Sequence, residues 1–266
     1  MKHILTIAGS DSGGGAGIQA DLKTFAALGA YGMSVVTAVT AQNTQAVYQV
    51  AEMSREMVKA QIDAIFCDIR VDAVKIGMVS NADIIAQIAE SLTDWGAANI
   101  VVDPVMVSKS GHNLLRPEAI EALKKELIPL AAVVTPNLPE AMELVGHRVT
   151  DESGMEEAAR EIRLLGARSV LIKGGHLDGE ARDLLFDGET VTWFTVPRLS
   201  KKNTHGTGCT LSSAIAVHLA QGCDLVNAIG RSKDYLTETI ENGFSLGHGV
   251  GPVHHFHRLY KNAGMK

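Results

Sequence analysis

Cysteine is scarce in this 266-residue sequence, which contains only Cys67, Cys209 and Cys223. The number is odd and no two of them have CxxC spacing, so the sequence indicates neither a disulfide framework nor a zinc site. No apolar run approaches the roughly 18 residues of a membrane-spanning helix. The early run ILTIAG is too short for the core of a signal peptide. We therefore expect a soluble protein of the reducing cytoplasm.

Positively charged residues are fewer than negatively charged ones, with 24 Lys and Arg against 30 Asp and Glu. The formal net charge is −6 and the isoelectric point is near 5.9. Proteins that bind nucleic acids or anionic membranes present clustered lysine and arginine, so the composition argues against both partners. Any anionic ligand must instead be met by local positive features. The 46% hydrophobic content can bury a large core and no linker or repeat interrupts the chain, so we expect one domain over residues 1–266.

The sequence does contain a regular alternation of strand-like and helix-like segments. HILTIA precedes a segment in which apolar residues from Ile18 to Leu28 recur at helical spacing, with Gly29 suited to end the helix. The later segments are one buried strand in YGMSVVTAVTA, a strand over 47–52, helices from Ser54, over 81–94, over 117–127 and from 138, strands in DAVKIG, NIVVD, AAVVTP and SVLIKGG, a hairpin turning at Asp187-Gly188, and two closing helices. This pattern predicts an α/β fold with a mostly parallel central sheet, helices on both faces, and ligands at the carboxyl ends of the strands.

A glycine-rich loop, GSDSGGGAG over residues 9–17, follows the first strand. It lacks the Walker pattern, because Gly14 is followed by Gly15 and not by lysine. Residues 15–20 match the looser GxGxxA form of a dinucleotide site, yet no acidic residue follows near Thr40 to bind a ribose. The loop is therefore either a ligand loop or a tight turn that packs a helix on the sheet, and an oxidoreductase is disfavoured.

A second glycine-rich loop, THGTGC over residues 204–209, runs directly into a helix-like segment. Consecutive amides at a helix start, with the positive end of the helix dipole, form an anion hole suited to phosphate. In the first turn the same field is expected to lower the pKa of the Cys209 thiol and favour the thiolate. The alternative is that Cys209 is a small buried apolar residue.

Three further strand ends carry polar side chains. Asn137 and Glu140 lie three apart, a usable spacing for Mg²⁺ or its water ligands, although the same pair also fits a helix cap. Lys173 ends one strand, close to any nucleotide bound at this edge. Asp103 ends another strand, where its carboxylate can support a metal or accept hydrogen bonds.

The motifs GSDSGGGAGIQADLKTF, VVDPVM, TPNLPEA, IKGGH, HGTGC and GVGPVHHFH occur in this order over nearly the whole chain. Together they resemble the ribokinase-like superfamily of small-molecule kinases. More narrowly, they are similar to the hydroxymethylpyrimidine/phosphomethylpyrimidine kinases of thiamin biosynthesis. The resemblance implies ATP-dependent phosphorylation of 4-amino-5-hydroxymethyl-2-methylpyrimidine and then of its monophosphate. It also implies ATP and Mg²⁺ as cofactors and a homodimer.

The resemblance also implies roles for individual residues. The implied catalytic set is Lys173 with Gly206, Thr207, Gly208 and Cys209 of the anion hole. The implied pyrimidine site is Gly9, Asp21, Gln42, Met78 and Val105, with the Gln42 amide pairing with the ring nitrogen and amino group. The implied Mg-ATP site is Asn137, Glu140, Lys173 and Thr204, with magnesium held through water and Asp103 supporting it from behind. Most ribokinase-like sugar kinases carry a catalytic aspartate where this chain has Cys209, so the role of base transfers less directly.

Two other functions remain open at this point. A pyridoxal kinase of the same superfamily is the closest alternative, although Gln42 can donate and accept at once and so suits an aminopyrimidine better. A catalytically silent nucleotide-binding regulator is the second. The C-terminal His254, His255 and His257 are interpreted as part of a surface tail rather than a metal site, because His255 and His257 have no acidic or cysteine partner nearby in the sequence.

Overall fold

Ten strands form a large sheet and a small one in the computed structural model, which describes residues 1–106, 117–175 and 180–265. The strands are β1 (His3–Ala8), β2 (Tyr31–Val36), β3 (Ala38–Gln42), β4 (Val47–Glu52), β5 (Ala73–Ile76), β6 (Ile100–Val102), β7 (Val133–Val134), β8 (Val170–Lys173), β9 (Ala181–Phe186) and β10 (Val191–Val196). The large sheet has the order β10-β9-β8-β7-β6-β5-β1-β2. The strands from β8 to β2 run parallel, and β9 and β10 add the antiparallel hairpin predicted around Asp187-Gly188.

Helices cover both faces of the large sheet. They are α1 (Gly17–Ala27), α2 (Arg55–Phe66), α3 (Ala82–Asp94), α4 (Pro117–Ala122), α5 (Leu138–Val145), α6 (Glu152–Leu164), α7 (Thr207–Ala220), α8 (Leu225–Glu241) and α9 (His257–Asn262). Side chains alternate along each buried strand, so that Ile4 packs under α1, α7 and α8 while Leu5 and Ile7 face the layer from α2 to α6. The predicted mostly parallel sheet with helices on both faces is confirmed.

The prediction of a single strand in YGMSVVTAVTA is wrong. The chain leaves the large sheet after Val36, and β3 pairs instead with β4 in a separate antiparallel ribbon. Thr37 fixes this corner: its N–H donates to the Ala8 carbonyl (3.0 Å) and its hydroxyl to the Met78 carbonyl (2.8 Å). These partners are distant in sequence, so local periodicity did not show the break.

Two helical regions differ from the expectation in other ways. The helix predicted over 117–127 begins at Pro117 but widens into a π-turn over Leu123–Leu127 and ends in a 3₁₀ turn over Ile128–Leu130. Helix α6 was not predicted from the sequence. None of the helices in the described part of the chain is both long and apolar enough to span a membrane.

The parallel strands end at one edge of the sheet, and this edge collects the polar residues singled out from the sequence. Gly9 follows β1, Met78 lies just beyond β5, Asp103 follows β6, and Lys173 is the last residue of β8. Helix α7 begins at the same edge, because Ser212 in its second turn donates to the Asp103 carboxylate at 3.3 Å. The fold therefore brings strand ends and a helix start together.

Candidate active site

Lys173 is the centre of the charged cluster at the carboxyl edge. Its Nζ lies 2.9 Å from Asp103 Oδ1 and 3.7 Å from Glu140 Oε2, so one ammonium group bridges the ends of β6 and β8 and the start of α5. Asp103 is almost fully buried, and Thr135 also donates to it at 3.2 Å. Burial opposes ionisation of Asp103, but the two lysines Lys173 and Lys75 hold its pKa below the ordinary value. The cluster is thus a carboxylate pair around one cation.

Asn137 and Glu140 form a reciprocal helix cap at the start of α5. The Asn137 side chain accepts from the Glu140 N–H at 2.9 Å, and Glu140 Oε2 accepts from the Asn137 N–H at 2.7 Å. The capping interpretation is therefore confirmed. Burial raises the pKa of Glu140 to about 7, against the attraction of Lys173. Further positive charge near such a buried carboxyl group would favour its ionised form and lower its pKa.

Helix α7 begins without a side-chain cap, because its N-cap residue is Gly206. The ideal Cβ position on Gly208 lies 3.6 Å from Lys173 Nζ and 3.5 Å from Asp103 Oδ2, so this helix start adjoins the charged cluster. The Thr207 N–H has only a long contact to the Thr204 carbonyl, at 3.4 Å. First-turn amides of a helix have no partner within the helix, and here they lie beside a lysine. The anion hole expected at residues 206–209 stays a prediction.

The thiol of Cys209 differs from the expectation. Cys209 as a whole residue is partly exposed. Burial of its thiol raises the thiol pKa to about 11, and the carboxylates of Asp21 and Asp103 disfavour the thiolate further. The attraction of Lys75 and the backbone of Gly17 does not offset these effects. The prediction that the helix start lowers this pKa is therefore wrong, and Cys209 is a neutral thiol near pH 7.

A buried ion pair lies beneath the helix start. Lys75 Nζ donates to Asp21 Oδ2 at 2.9 Å, and both side chains are completely buried. Thr6 and Ser213 also donate to Asp21, at 2.6 Å and 2.7 Å. With these contacts Asp21 presents no exposed oxygen and holds α1, α7 and β5 together, and its place in the pyrimidine site stays a prediction.

Lys75 was missed in the sequence, although a signal exists. It is a lone lysine within the otherwise apolar run AVKI of a buried strand. A buried lysine requires a partner, so such a residue points to an acidic group on the facing helix. Here the neighbouring carboxylates, Asp21 foremost, raise the pKa of Lys75 despite its burial, and it stays charged below Cys209.

The first glycine-rich loop wraps around its own carboxylate. Asp11 accepts hydrogen bonds from the N–H groups of Gly13 (2.8 Å), Gly15 (3.0 Å) and Ala16 (2.8 Å). His205 Nε2 lies 2.9 Å from the same carboxylate. The amides that a phosphate would need are thus occupied, so the structure contradicts a dinucleotide site here and supports the packing-turn interpretation.

The residues expected to bind the pyrimidine lie at the same edge as the charged cluster. A Cβ on Gly9 would meet Met78 Cε at 2.4 Å, so the absence of a side chain at Gly9 leaves room for Met78. Gln42 is half-buried at the end of β3, and Ser12 holds its backbone through two 2.8 Å hydrogen bonds. Val105 is half-buried after β6. No bound molecule tests these roles, which remain predictions.

The C-terminal histidines do not form a surface tail. His255 and His257 are buried, and His255 Nε2 lies 3.0 Å from the Thr210 hydroxyl in α7. His257 Nε2 pairs with Glu238 at 2.7 Å. Burial lowers the pKa of His255 to about 3, so it is neutral. Within residues 1–106, 117–175 and 180–265, no three or more His, Cys, Asp or Glu side chains group closely enough to hold a metal ion.

Comparison with known proteins assigns this site to a family. The family model described as phosphomethylpyrimidine kinase matches residues 11–254. The chain belongs to the phosphomethylpyrimidine kinase family. A hydroxymethylpyrimidine/phosphomethylpyrimidine kinase of Rhizobium meliloti is 56% identical over 97% of this chain and 98% of its own length. The protein is therefore a kinase, and the silent regulator and the oxidoreductase are set aside.

Solved structures agree with this family assignment. The phosphomethylpyrimidine kinase of Clostridium difficile has a TM-score of 0.82 and 51% identity, covering 90% of this chain and 100% of that one. The pyridoxal kinase of Bacillus subtilis, in an ADP complex, has a TM-score of 0.90 and 42% identity, covering 96% and 97%. The ribokinase-like fold is thus confirmed. Because these two solved kinases are named for different acceptors, phosphomethylpyrimidine and pyridoxal, fold similarity alone does not identify the acceptor of this chain.

Proposed function

We propose that this kinase transfers the γ-phosphoryl group of ATP to the hydroxymethyl group of 4-amino-5-hydroxymethyl-2-methylpyrimidine, and then a second one to the resulting monophosphate. The product is the diphosphate used in thiamin diphosphate biosynthesis. The observation that carries the proposal is the meeting of Lys173 with the uncapped start of α7 at the carboxyl edge of the sheet. The match of residues 11–254 to the phosphomethylpyrimidine kinase family supports the same function, as does a relative that is 56% identical over 97% of this chain.

The positive groups at this edge suit phosphoryl transfer. The transition state is loose and spreads negative charge over the γ-phosphoryl oxygens, so catalysis depends mainly on placement and charge neutralisation. The amides of residues 207–209 and the Lys173 ammonium supply fixed positive dipoles and charge in a chain that is acidic as a whole. Asp103 accepts from Lys173 at 2.9 Å and from Ser212 of α7 at 3.3 Å. These two hydrogen bonds fix the distance between the ammonium group and the amides at the start of α7.

The residues at the edge also fit a magnesium ion bound together with the nucleotide. Mg²⁺ prefers oxygen ligands and takes one or two carboxylates besides water and phosphate. Glu140 and Asp103 supply two buried carboxylates on one lysine, and the raised pKa of Glu140 reflects burial that is incompletely compensated. Bound magnesium would neutralise phosphate charge. Since Asn137 and Glu140 are engaged in the helix cap, Glu140 and Asp103 would hold the ion through water.

Cys209 has different tasks in the two reactions. The first acceptor is a neutral hydroxyl group, which loses a proton during or after attack; the thiolate form of Cys209 beside the acceptor can receive this proton and become the thiol. With a thiol pKa of about 11 the thiolate is scarce at pH 7, so only a small fraction of the protein carries this base and the assistance is modest. The second acceptor is an ionised phosphate oxygen and needs no base. There the backbone of Cys209 serves as part of the anion hole.

We assign recognition of the pyrimidine ring to Gln42. Its carboxamide can donate to one ring nitrogen or accept from the 4-amino group, and its backbone is held by Ser12. Gly9, Met78 and Val105 line the ring on the apolar side. Pyridoxal is the second candidate acceptor, because the Bacillus subtilis pyridoxal kinase matches at a TM-score of 0.90. The 56% identity to a hydroxymethylpyrimidine/phosphomethylpyrimidine kinase favours the aminopyrimidine.

ATP consumption by the purified protein tests the proposal directly. Hydroxymethylpyrimidine, its monophosphate and pyridoxal are offered separately, each with and without Mg²⁺. We expect Mg²⁺-dependent turnover with both pyrimidines and a much lower kcat/KM with pyridoxal. Higher kcat/KM with pyridoxal would replace the proposed acceptor. We also propose that the protein is cytoplasmic and that it forms a homodimer, as the family resemblance implies. Light scattering of the purified protein checks the homodimer.

A further inference from the structure

The two glycine-rich loops touch each other so closely that neither accommodates a side chain at the contact. Gly206 has φ +85°, and a Cβ there would lie 1.9 Å from the Gly15 carbonyl oxygen. A Cβ on Gly15 would lie 2.3 Å from Cδ2 of the His205 ring. Gly206 is the N-cap of α7. The position of the anion hole is therefore set by the loop that follows β1.

Asp11 is the charged group that joins the two loops. Its carboxylate is 2% exposed and collects three loop amides and His205 Nε2, the last at 2.9 Å. Burial favours the neutral acid, yet the hydrogen bond and charge of His205 and the amides of Ala16 and Gly13 hold the pKa of Asp11 below its ordinary value. Because the carboxylate only accepts, the contact requires the proton of His205 on Nε2.

His205 is held at both ends of the residue. Its ring meets Asp11, its N–H donates to the Gly251 carbonyl at 3.0 Å, and its carbonyl accepts from Val253 at 3.4 Å. The next residue in the chain is Gly206, where α7 begins. The ring contact with Asp11 and the two backbone contacts together fix the residue that directly precedes the anion hole.

The same first loop holds the opposite side of the site. Ser12, the neighbour of Asp11, donates its hydroxyl to the Gln42 carbonyl and accepts from the Gln42 N–H, both at 2.8 Å. One short loop thus fixes both the backbone of Gln42 and, through Asp11 and His205, the start of α7. These are the two places where the acceptor and the transferred phosphoryl group are expected to bind.

We propose that Asp11 and His205 are positioning residues for phosphoryl transfer: their contact holds the amides of residues 206–209 at the correct distance from an acceptor bound at Gln42. The inference rests on the proposed function of this edge as the phosphoryl-transfer site. Neither residue contacts the reacting atoms. Loss of the contact therefore lowers kcat and leaves the KM for the acceptor nearly unchanged, since Ser12 still holds Gln42.

Three substitutions of His205 test this role. His205→Gln keeps an N–H donor at the position of Nε2, His205→Asn keeps an amide that is too short to reach Asp11, and His205→Leu removes the donor. We expect His205→Gln to recover most of kcat. The Asn and Leu variants are expected to lose about tenfold to 100-fold, the size of effect that a misplacement of about 1 Å causes. Initial rates with both pyrimidine substrates and thermal unfolding midpoints are measured for each.

A second histidine–carboxylate pair provides the matched control. His257 Nε2 lies 2.7 Å from Glu238 Oε2, between α9 and α8. His257→Leu should lower the unfolding midpoint without a selective loss of kcat. Equal kcat for the Gln and Leu variants of His205, a loss confined to KM, or a matching kcat loss in His257→Leu would overturn the positioning role. Should His205→Leu fail to fold, the comparison of Gln with Asn decides.

The failure of this inference can be told apart from failure of the proposed function. Turnover of hydroxymethylpyrimidine by the unaltered protein tests the function alone. The His205 series is then measured with whichever acceptor the unaltered protein phosphorylates best. The single substitution Asp11→Asn and its combination with His205→Leu complete the series: because Asp11 also accepts from three loop amides, the test is whether Asp11→Asn lowers kcat by a smaller factor in the His205→Leu variant than in the unaltered protein, as expected if the two residues share one contact. Additive losses would overturn it.

Discussion

Residues 9–17 and residues 204–209 each lead from the same edge of the sheet into a helix, and each contains several glycines. Their amides have different partners. In the first loop, Asp11 accepts from the amides of Gly13, Gly15 and Ala16. In the second, Gly206 occupies the N-cap position and offers no side chain to the first turn of α7. The first loop binds its own carboxylate, whereas the second loop has no side-chain cap at its helix start, so an external anion is expected there.

This difference teaches how glycine-rich loops should be read. Glycine lets amides converge, but the residue types between the glycines decide what they converge on. An aspartate near the start of the first loop fills the concavity and turns the loop into a support. The second loop has no acidic residue of its own, and the ideal Cβ position on Gly208 lies 3.6 Å from Lys173 Nζ and 3.5 Å from the carboxylate of Asp103, the ion-pair partner of that lysine. Phosphate is therefore expected at the second loop alone.

If the second loop is the phosphate site, Lys173 should matter more than any other charge. We expect Lys173→Ala to slow both phosphorylation steps by about 10³-fold, the cost of removing a donor that stabilises transition-state charge. Single-turnover rates with each pyrimidine substrate measure this. Lys59→Ala, which removes an exposed partner of Asp63, is the control and should change neither rate. A loss in only one of the two steps would contradict a contact with the transferred group.

The contact between the loops is tested at Gly206. We expect Gly206→Ala to lower kcat by about 100-fold, because the new Cβ would lie 1.9 Å from the Gly15 carbonyl and displace the anion hole. Gly222→Ala is the matched control: it has a similar φ of +93° but open space around its Cβ. Gly222→Ala should cost about 1 kcal/mol of stability and no activity. Equal kcat in the two variants would show that the loops do not position each other.

The support role of the first loop predicts a different kind of loss at Gln42. We expect Gln42→Leu to raise the KM for hydroxymethylpyrimidine by about tenfold or more, since unpaired ring polar groups cost about 1–3 kcal/mol, while the KM for ATP is unchanged. Steady-state kinetics with each substrate varied in turn measure this. The exposed Gln49 of β4 provides the control substitution, Gln49→Leu. An unchanged pyrimidine KM would remove Gln42 from the site.

Local periodicity predicted most of the fold because the responsible residues are close in sequence. The helical spacing in α1 and the helix start at Ser54 each depend on residues that are close in sequence, and both predictions were confirmed. The break at Thr37 was missed because it depends on hydrogen bonds to Ala8 and Met78. The strand YGMSVVTAVTA looks continuous until those partners are known.

The candidate site was predictable as a set of residues but not as a set of charges. The motifs indicated Lys173, Glu140 and Cys209, yet the pKa of a buried group depends on neighbours distant in sequence. Burial and the carboxylates raise the thiol pKa of Cys209 although Lys75 opposes the rise, and Lys75 and Asp21 themselves lie 54 residues apart in the sequence. Asp11 and His205 are 194 residues apart, so their contact was also hidden.

The raised thiol pKa makes a pH test of the second loop possible. Below pH 11 the thiolate fraction of Cys209 increases tenfold per pH unit, so a step that uses the thiolate speeds up as pH rises from 7 to 9. We expect this rise for hydroxymethylpyrimidine but not for the monophosphate, and we expect Cys209→Ala to abolish it. That variant should slow the first step about tenfold more than the second. Equal losses and parallel pH profiles would mean that Cys209 only shapes the anion hole.

The smallest effect is expected at Glu140, whose carboxylate lies 3.7 Å from Lys173 Nζ. Burial raises the pKa of Glu140 to about 7, above its ordinary value of 4.5. Between these values the folded protein binds a proton that the unfolded chain has released, so the contribution of Glu140 to stability is complete below about pH 4.5 and is lost as pH rises through 7. The free energy of unfolding should therefore fall across this window.

Glu140→Gln separates the charge of this residue from its role in the helix cap. The glutamine oxygen can still accept from the Asn137 N–H, so we expect the cap to persist and the fall in unfolding free energy between pH 5 and 7 to disappear. The KM for Mg-ATP should rise about threefold and recover in part at high Mg²⁺, because a carboxylate that organises the ion is lost. Urea unfolding at several pH values and kinetics at two Mg²⁺ concentrations measure the two effects. A variant that unfolds early at pH 7 with normal kinetics would mean that Glu140 is charged in the free protein and serves the cap alone.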